Sequence, residues 1–139
     1  MPSDPFSLAG KAILVTGASS GIGREVARAC AERGATLVVS GRSRERIDET
    51  LASLPGRDHQ AVVADLTQPE QLDALADATG PIDGLFFSAG IAAIAPFRML
   101  GREPLRRLMG IDFEAPLFLV QRLLKQRQVR DGGSIVFNT

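Results

Sequence analysis

Five short apolar runs recur along the chain: AILVT (12–16), TLVVS (36–40), AVVA (61–64), GLFFS (84–88) and SIVFN (134–138). None alternates polar with apolar residues, so both faces of each are expected to be covered, as in a parallel sheet. The segments between them carry apolar residues at helical spacing. Ile22, Val26, Ala29 and Cys30 share one face, with Gly34 as the stop signal. Ile47, Leu51 and Leu54 repeat the pattern behind Ser43, a candidate N-cap. Thr67 and Glu70 form a T-x-x-E capping box ahead of Leu72, Leu75 and Ala76. The longest helix is expected from about Pro104 to about Arg127, with an apolar stripe of Leu105, Leu108, Met109, Ala115, Leu119 and Leu123. Strands and helices alternating over short connections predict a doubly wound α/β parallel sheet of five strands with right-handed crossovers. No repeat, low-complexity tract or linker interrupts it, so residues 1–139 read as one domain.

Composition narrows the function classes. A chain of 139 residues with 45% hydrophobic content can bury a core. Sixteen basic side chains balance sixteen acidic ones, which gives no electrostatic drive toward nucleic acid or an anionic membrane. No apolar stretch approaches the roughly 20 residues that span a bilayer. The N-terminus, MPSDPFSLAGK, lacks the basic-then-apolar order of a signal peptide. The lone cysteine, Cys30, has no internal disulfide partner and fits a reducing compartment. A soluble, cytoplasmic protein without a metal site is expected.

The chemistry begins at VTGASSGIG, between the first apolar run and the first helix. Gly17, Gly21 and Gly23 follow the spacing G-x-x-x-G-x-G. Gly17 permits a sharp exit from the strand, and Gly21 lets backbone approach a pyrophosphate at the helix N-terminus. Gly23 allows close helix–sheet packing. Thr16, Ser19 and Ser20 add hydroxyls, and Ala18 and Ile22 complete the candidate cradle. A glycine triplet alone also fits a plain turn; its place between a buried strand and an amphipathic helix favours a Rossmann-like dinucleotide site.

At these residues the chain resembles the short-chain dehydrogenase/reductase family, starting with LAGKAILVTGASSGIG. ADL (64–66) is similar to the family's acidic turn, which implies that Asp65 and Leu66 contact adenine. FSAG (87–90) resembles the N-N-A-G motif, implying Ser88, Ala89 and Gly90 beside the nicotinamide ribose. GIDFEAPLFLVQ (110–121) resembles the long-helix motif with the catalytic asparagine, and so places Asp112 at that position. GGSIVFNT (132–139) resembles the approach to the catalytic serine.

Cofactor preference is read at the end of the second strand, where NAD-preferring relatives carry an acid. Here the chain has Gly41, followed by Arg42, with Arg44 and Arg46 nearby. Gly41 leaves room for a 2′-phosphate, and the Arg42 guanidinium could bind it with charge-assisted bonds. NADP(H) is therefore expected over NAD(H); a solvated Arg42 at a helix start is the alternative.

Asp112 falls inside an apolar stripe, and Pro116 deprives the carbonyl of residue 112 of its usual helical partner. A polar side chain plus a freed carbonyl makes a water-binding notch. A structural bend carrying a surface aspartate is the alternative.

The resemblance implies hydride transfer between nicotinamide and a small carbonyl or secondary alcohol, with a Y-x-x-x-K pair and a serine handling the oxygen. The chain has no tyrosine, and its lysines are only Lys11 and Lys125. Thr139 falls one place before the expected serine. The expectation is the N-terminal, cofactor-binding part of a longer enzyme, cut before its catalytic residues and inactive alone. A non-catalytic dinucleotide binder and one half of a split enzyme are the other readings. A cut there would leave the fifth strand as an apolar edge and Leu119 and Leu123 underburied. The apolar loop 91–103 suggests one wall for an uncharged substrate. Relatives dimerise or tetramerise through the long helix, which implies a homo-oligomer.

Overall fold

Branched and aromatic residues at Ile13, Val15, Val38, Val39 and Phe86 suit a pleated surface buried on two sides, and the strands form there. The computed structural model describes residues 4–92 and 94–138, so Thr139 lies outside the described residues. Strands β1 (Ala12–Thr16), β2 (Thr36–Gly41), β3 (Gln60–Val63), β4 (Ile82–Phe87) and β5 (Val129–Phe137) are all parallel, in the order β3-β2-β1-β4-β5. Helices α1 (Gly21–Glu32), α2 (Arg44–Ser53), α3 (Pro69–Thr79), α4 (Arg102–Met109) and α5 (Ala115–Lys125) connect them. This is the doubly wound, Rossmann-like α/β arrangement expected from the alternation of runs.

Adjacent residues of β1 feed opposite layers. Leu14 joins Leu72, Leu75, Leu85, Leu119 and Leu123 on the face of α3 and α5. Val15 joins Ala27, Ala31, Leu37, Val39 and Ile47 on the face of α1 and α2. The order reverses between β1 and β4, which opens a crevice at their C-terminal ends.

Several local expectations are corrected. The buried face of α1 is Gly23, Ala27 and Ala31, while Ile22 is 59% exposed. Ala27 and Ala31 sit inward because the helix lies close against the sheet. Gly34 does end the helix, with φ +93° and its N–H on the Ala31 carbonyl. Ser43 caps α2, accepting from the Arg46 N–H at 3.4 Å. The Thr67–Glu70 box does not form. Gln68 is the N-cap of α3 and Pro69 takes its first turn, so Thr67 instead donates to Asp65 Oδ1.

The long helix is not continuous. α4 passes into a π turn over Gly110–Glu114, where the Ala115 N–H bonds to the Gly110 carbonyl, and then into α5. Pro116 follows at once and has no N–H to restore the regular ladder. Leu119 and Leu123 are fully buried, against expectation, because β4 and α3 already enclose them. The uncovered apolar residues of this rod are Leu105, Met109, Phe113, Leu117, Phe118 and Leu124.

β5 stands at the sheet edge, with Val136 and Phe137 each about half exposed, so its two faces are not both covered. β3, at the other edge, is likewise only partly buried. β5 starts earlier than its apolar run and carries a bulge, since Ile82 pairs with Val129 but Gly84 with Ser134. Phe137 leans on Phe87, with ring centroids 6.5 Å apart.

Candidate functional site

The crevice at the reversal point is a cleft of about 470 Å³, open to solvent and lined along its length by the ends of β1, β2, β3 and β4. Gly17, Ser19 and Ser20 come from the first turn, Gly41 and Arg42 from the end of β2, and Leu66 from the turn after β3. Ser88, Ala89 and Gly90 form its far side. Most of the candidate residues thus converge on one groove.

The first turn is held open by close approaches that only glycine permits. Gly17 has φ +64°, and a Cβ there would lie 2.6 Å from the Ala89 nitrogen. Gly23 is pressed against the Gly17 carbonyl, so its missing side chain serves the turn rather than helix–sheet packing. Gly21 has nothing within 4 Å of its Cβ position, leaving that side of the turn clear. Ser20 is the N-cap of α1 in extended conformation, and its side chain makes no capping bond. Gly21 and Gly23 are not part of the cleft lining; Ser20 is, so α1 starts at the groove wall with the positive end of its dipole there.

Two residues that carry no motif brace this turn from behind. The Thr50 hydroxyl donates to the Ala18 carbonyl at 2.8 Å and accepts from Arg24 Nε at 2.9 Å. Arg24 also donates to the Ser19 carbonyl at 2.7 Å. These bonds engage the Ala18 and Ser19 carbonyls and fix the turn from the α1 and α2 side. Ala18 is fully buried, its N–H on the Ser40 carbonyl, so it supports the cradle and does not line it. Thr16 is buried as well, its Oγ1 accepting from the Ser88 N–H at 3.3 Å, which ties the ends of β1 and β4 together. Sequence reading missed Arg24 and Thr50; an Arg just after G-I-G and a buried Thr in α2 are the only signals.

At the β2 end, Arg42 and Arg46 line the cleft, and neither pairs with a carboxylate among the described residues. The room expected at Gly41 for a 2′-phosphate is instead taken by the Ser19 hydroxyl, which holds the space a side chain there would need. Buried Ser40 Oγ lies at the same end with no hydrogen-bond partner among the described residues. Asp65 does not line the cleft. Thr67 donates to its Oδ1 at 2.7 Å, and this bond, helped by the Arg42 and Arg107 charges, holds the carboxyl below its ordinary range. Ile22 is likewise outside the cleft lining, exposed at the helix start.

Beyond Gly90 the groove continues into a second cavity of about 230 Å³, where Asp112 and Asn138 join Ser88 and Ile91. Asn138 Nδ2 reaches Ser88 Oγ at 3.3 Å. Asp112 Oδ1 accepts from the Ile91 N–H at 3.0 Å, locking the loop after β4 to the π turn. Among the described residues there is no cluster of three or more His, Cys, Asp or Glu side chains able to hold a metal ion, and no helix long and apolar enough to cross a membrane.

These features suit an elongated, phosphate-bearing ligand. Unengaged helix-terminal N–H groups and a glycine-cleared turn can take a diphosphate, and the two unpaired guanidiniums can take a further anionic group.

Comparison with known proteins finds relatives of the same fold. Gluconate 5-dehydrogenase of Gluconobacter oxydans is 35% identical over 96% of this chain and 54% of its own length. D-threitol dehydrogenase of Mycolicibacterium smegmatis is 34% identical over 94% of this chain and 53% of its own. A solved short chain dehydrogenase/reductase family protein superposes with a TM-score of 0.88 at 34% identity, covering 94% of this chain and 55% of that one. The chain thus spans about half the length of the relatives it matches. The family model for short chain dehydrogenases matches residues 11–139, and the chain belongs to that family of NAD(P)-using oxidoreductases.

Proposed function

We propose that these 139 residues are the dinucleotide-binding half of an NADP(H)-dependent oxidoreductase acting on a small carbonyl or secondary alcohol. The observation that carries the reading is the cleft itself, lined by Gly17, Ser19 and the α1 N-cap Ser20, with Arg42 and Arg46 also on its wall. Gly17, Ser19, Ser20, Gly21 and Gly23 would hold the diphosphate, and Arg42 the 2′-phosphate. Gly41 supports the phosphorylated cofactor, since an acid there would displace the Ser19 hydroxyl and repel the phosphate. Leu66 would face adenine, and Ser88, Ala89 and Gly90 the nicotinamide end. When bound, the cofactor supplies or accepts hydride; this chain's residues orient it. Relatives named for gluconate and D-threitol support a small oxygenated substrate.

The chain has no tyrosine, so the acid that protonates a substrate oxygen would come from other polypeptide. That supports the companion reading, dinucleotide binding without turnover by these residues alone. The exposed stripe from Leu105 to Leu124 supports a homo-oligomer formed along the α4–α5 rod.

Calorimetric titration tests the cofactor assignment. NADPH is expected to bind more tightly than NADH, and Arg42→Ala to weaken NADPH about tenfold while leaving NADH nearly unchanged. Equal losses for both would remove the phosphate contact from the account.

A further inference from the structure

The two ends of the groove have opposite charge. Arg42 and Arg46 line one end. At the other, Asp112 is half-buried and takes part in none of the ion pairs among the described residues. Its Oδ1 is committed to the Ile91 N–H at 3.0 Å. The same oxygen would lie 3.0 Å from a Cβ on Gly90, so the carboxylate takes the space a side chain there would need. It lines the 230 Å³ cavity, whose walls at Ser88, Ala89, Gly90 and Ile91 are also walls of the main cleft. A half-buried carboxylate without a cation raises the local affinity for a positive group, because little water shields it on the protein side.

We propose that Asp112 makes this end of the groove selective for a cationic occupant and thereby favours oxidised over reduced nicotinamide dinucleotide. The inference rests on the dinucleotide reading above. With a 2′-phosphate at Arg42 and a diphosphate at the first turn of α1, the remaining end of the ligand falls to Ser88, Ala89 and Gly90. Oxidised nicotinamide carries a positive ring charge and the reduced ring is neutral, while the rest of the molecule is the same. Only the oxidised form therefore gains from the carboxylate. The clamp on Ile91 needs an acceptor oxygen, which an amide would also supply; the charge is an addition to that role.

The test is calorimetry of the 139-residue chain with NADP⁺ and NADPH, for the native sequence and Asp112→Asn, at low and high salt. Asparagine keeps the acceptor oxygen and removes only the charge. The substitution is expected to weaken NADP⁺ about fivefold and to leave NADPH within about twofold, a modest effect for a half-exposed charge. The native preference for NADP⁺ over NADPH should also be larger in low salt than in high. This salt dependence tests the proposal even if the variant folds poorly. An equal change for both cofactors, or a native ratio indifferent to salt, overturns the proposal and leaves dinucleotide binding standing. Heat from neither cofactor with folded native protein overturns the dinucleotide reading, and this inference with it.

Discussion

Thr50 shows how much of a binding turn is made by residues outside it. Its hydroxyl is fully buried, donates to the Ala18 carbonyl and receives Arg24, so one oxygen connects α2, α1 and the glycine turn. Thr50→Val keeps the shape and deletes the hydroxyl, leaving a buried carbonyl and a guanidinium N–H without partners. The expected cost is about 1–3 kcal/mol of stability, with dinucleotide binding weakened about several-fold. Urea unfolding and a cofactor titration on the same variant check both parts; unchanged affinity would mean that the brace does not shape the turn. That Gly17 and Arg42 reach the cleft was legible in the sequence because strand exit and charge are local properties. Thr50 was not, since its partner lies 32 residues away.

At the scale of elements, the α4–π–α5 rod divides its leucines sharply. Leu119 is fully buried in the α3–α5 layer, whereas Leu117, two residues earlier, is 52% exposed. Leu119→Ala should cost about 2–5 kcal/mol through lost transfer energy and a cavity. Leu117→Ala should stay within about 0.5 kcal/mol for the monomer, as expected of a surface site. Urea midpoints compared with an unchanged m-value read this directly; similar costs at both positions would mean that the assigned faces are wrong. Sequence periodicity placed a helix here but treated Leu105, Met109 and Leu119 as one stripe. The π turn adds one residue between them and rotates the two halves relative to each other, so a single 3.6-residue period does not describe the rod.

Across the whole molecule, aspartates join distant parts of the chain. Asp83 accepts from the Ala12 N–H at 2.8 Å and from Arg130 at 2.7 Å, tying β4 to β1 and β5 at the N-terminal edge of the sheet. The Ala12 N–H, with help from the Arg130 and Lys11 charges, holds its carboxyl below the ordinary range. Gln126, aided by Arg122, does the same for Asp77, linking α3 to α5, and Thr67 for Asp65. In each case the folded value lies below the unfolded one. The stabilisation is therefore complete above the unfolded carboxylate value near about 4 and is lost as pH falls through the lowered folded values. Urea midpoints should be flat from neutrality to about pH 5 and drop toward about pH 3, less steeply in Asp83→Asn. A midpoint that does not fall in acid would contradict these linkages.

Residue order alone determined the strand–helix alternation, the parallel sheet, the glycine turn and the cations after β2, because each depends on neighbours within a few positions. Only the tertiary structure decided which face of α1 is buried and how the rod is broken. It alone also placed Asp112 against Ile91, 21 residues away, and Thr50 behind Ala18. Those pairings depend on how elements pack once the sheet has brought distant segments together, and no local pattern encodes them.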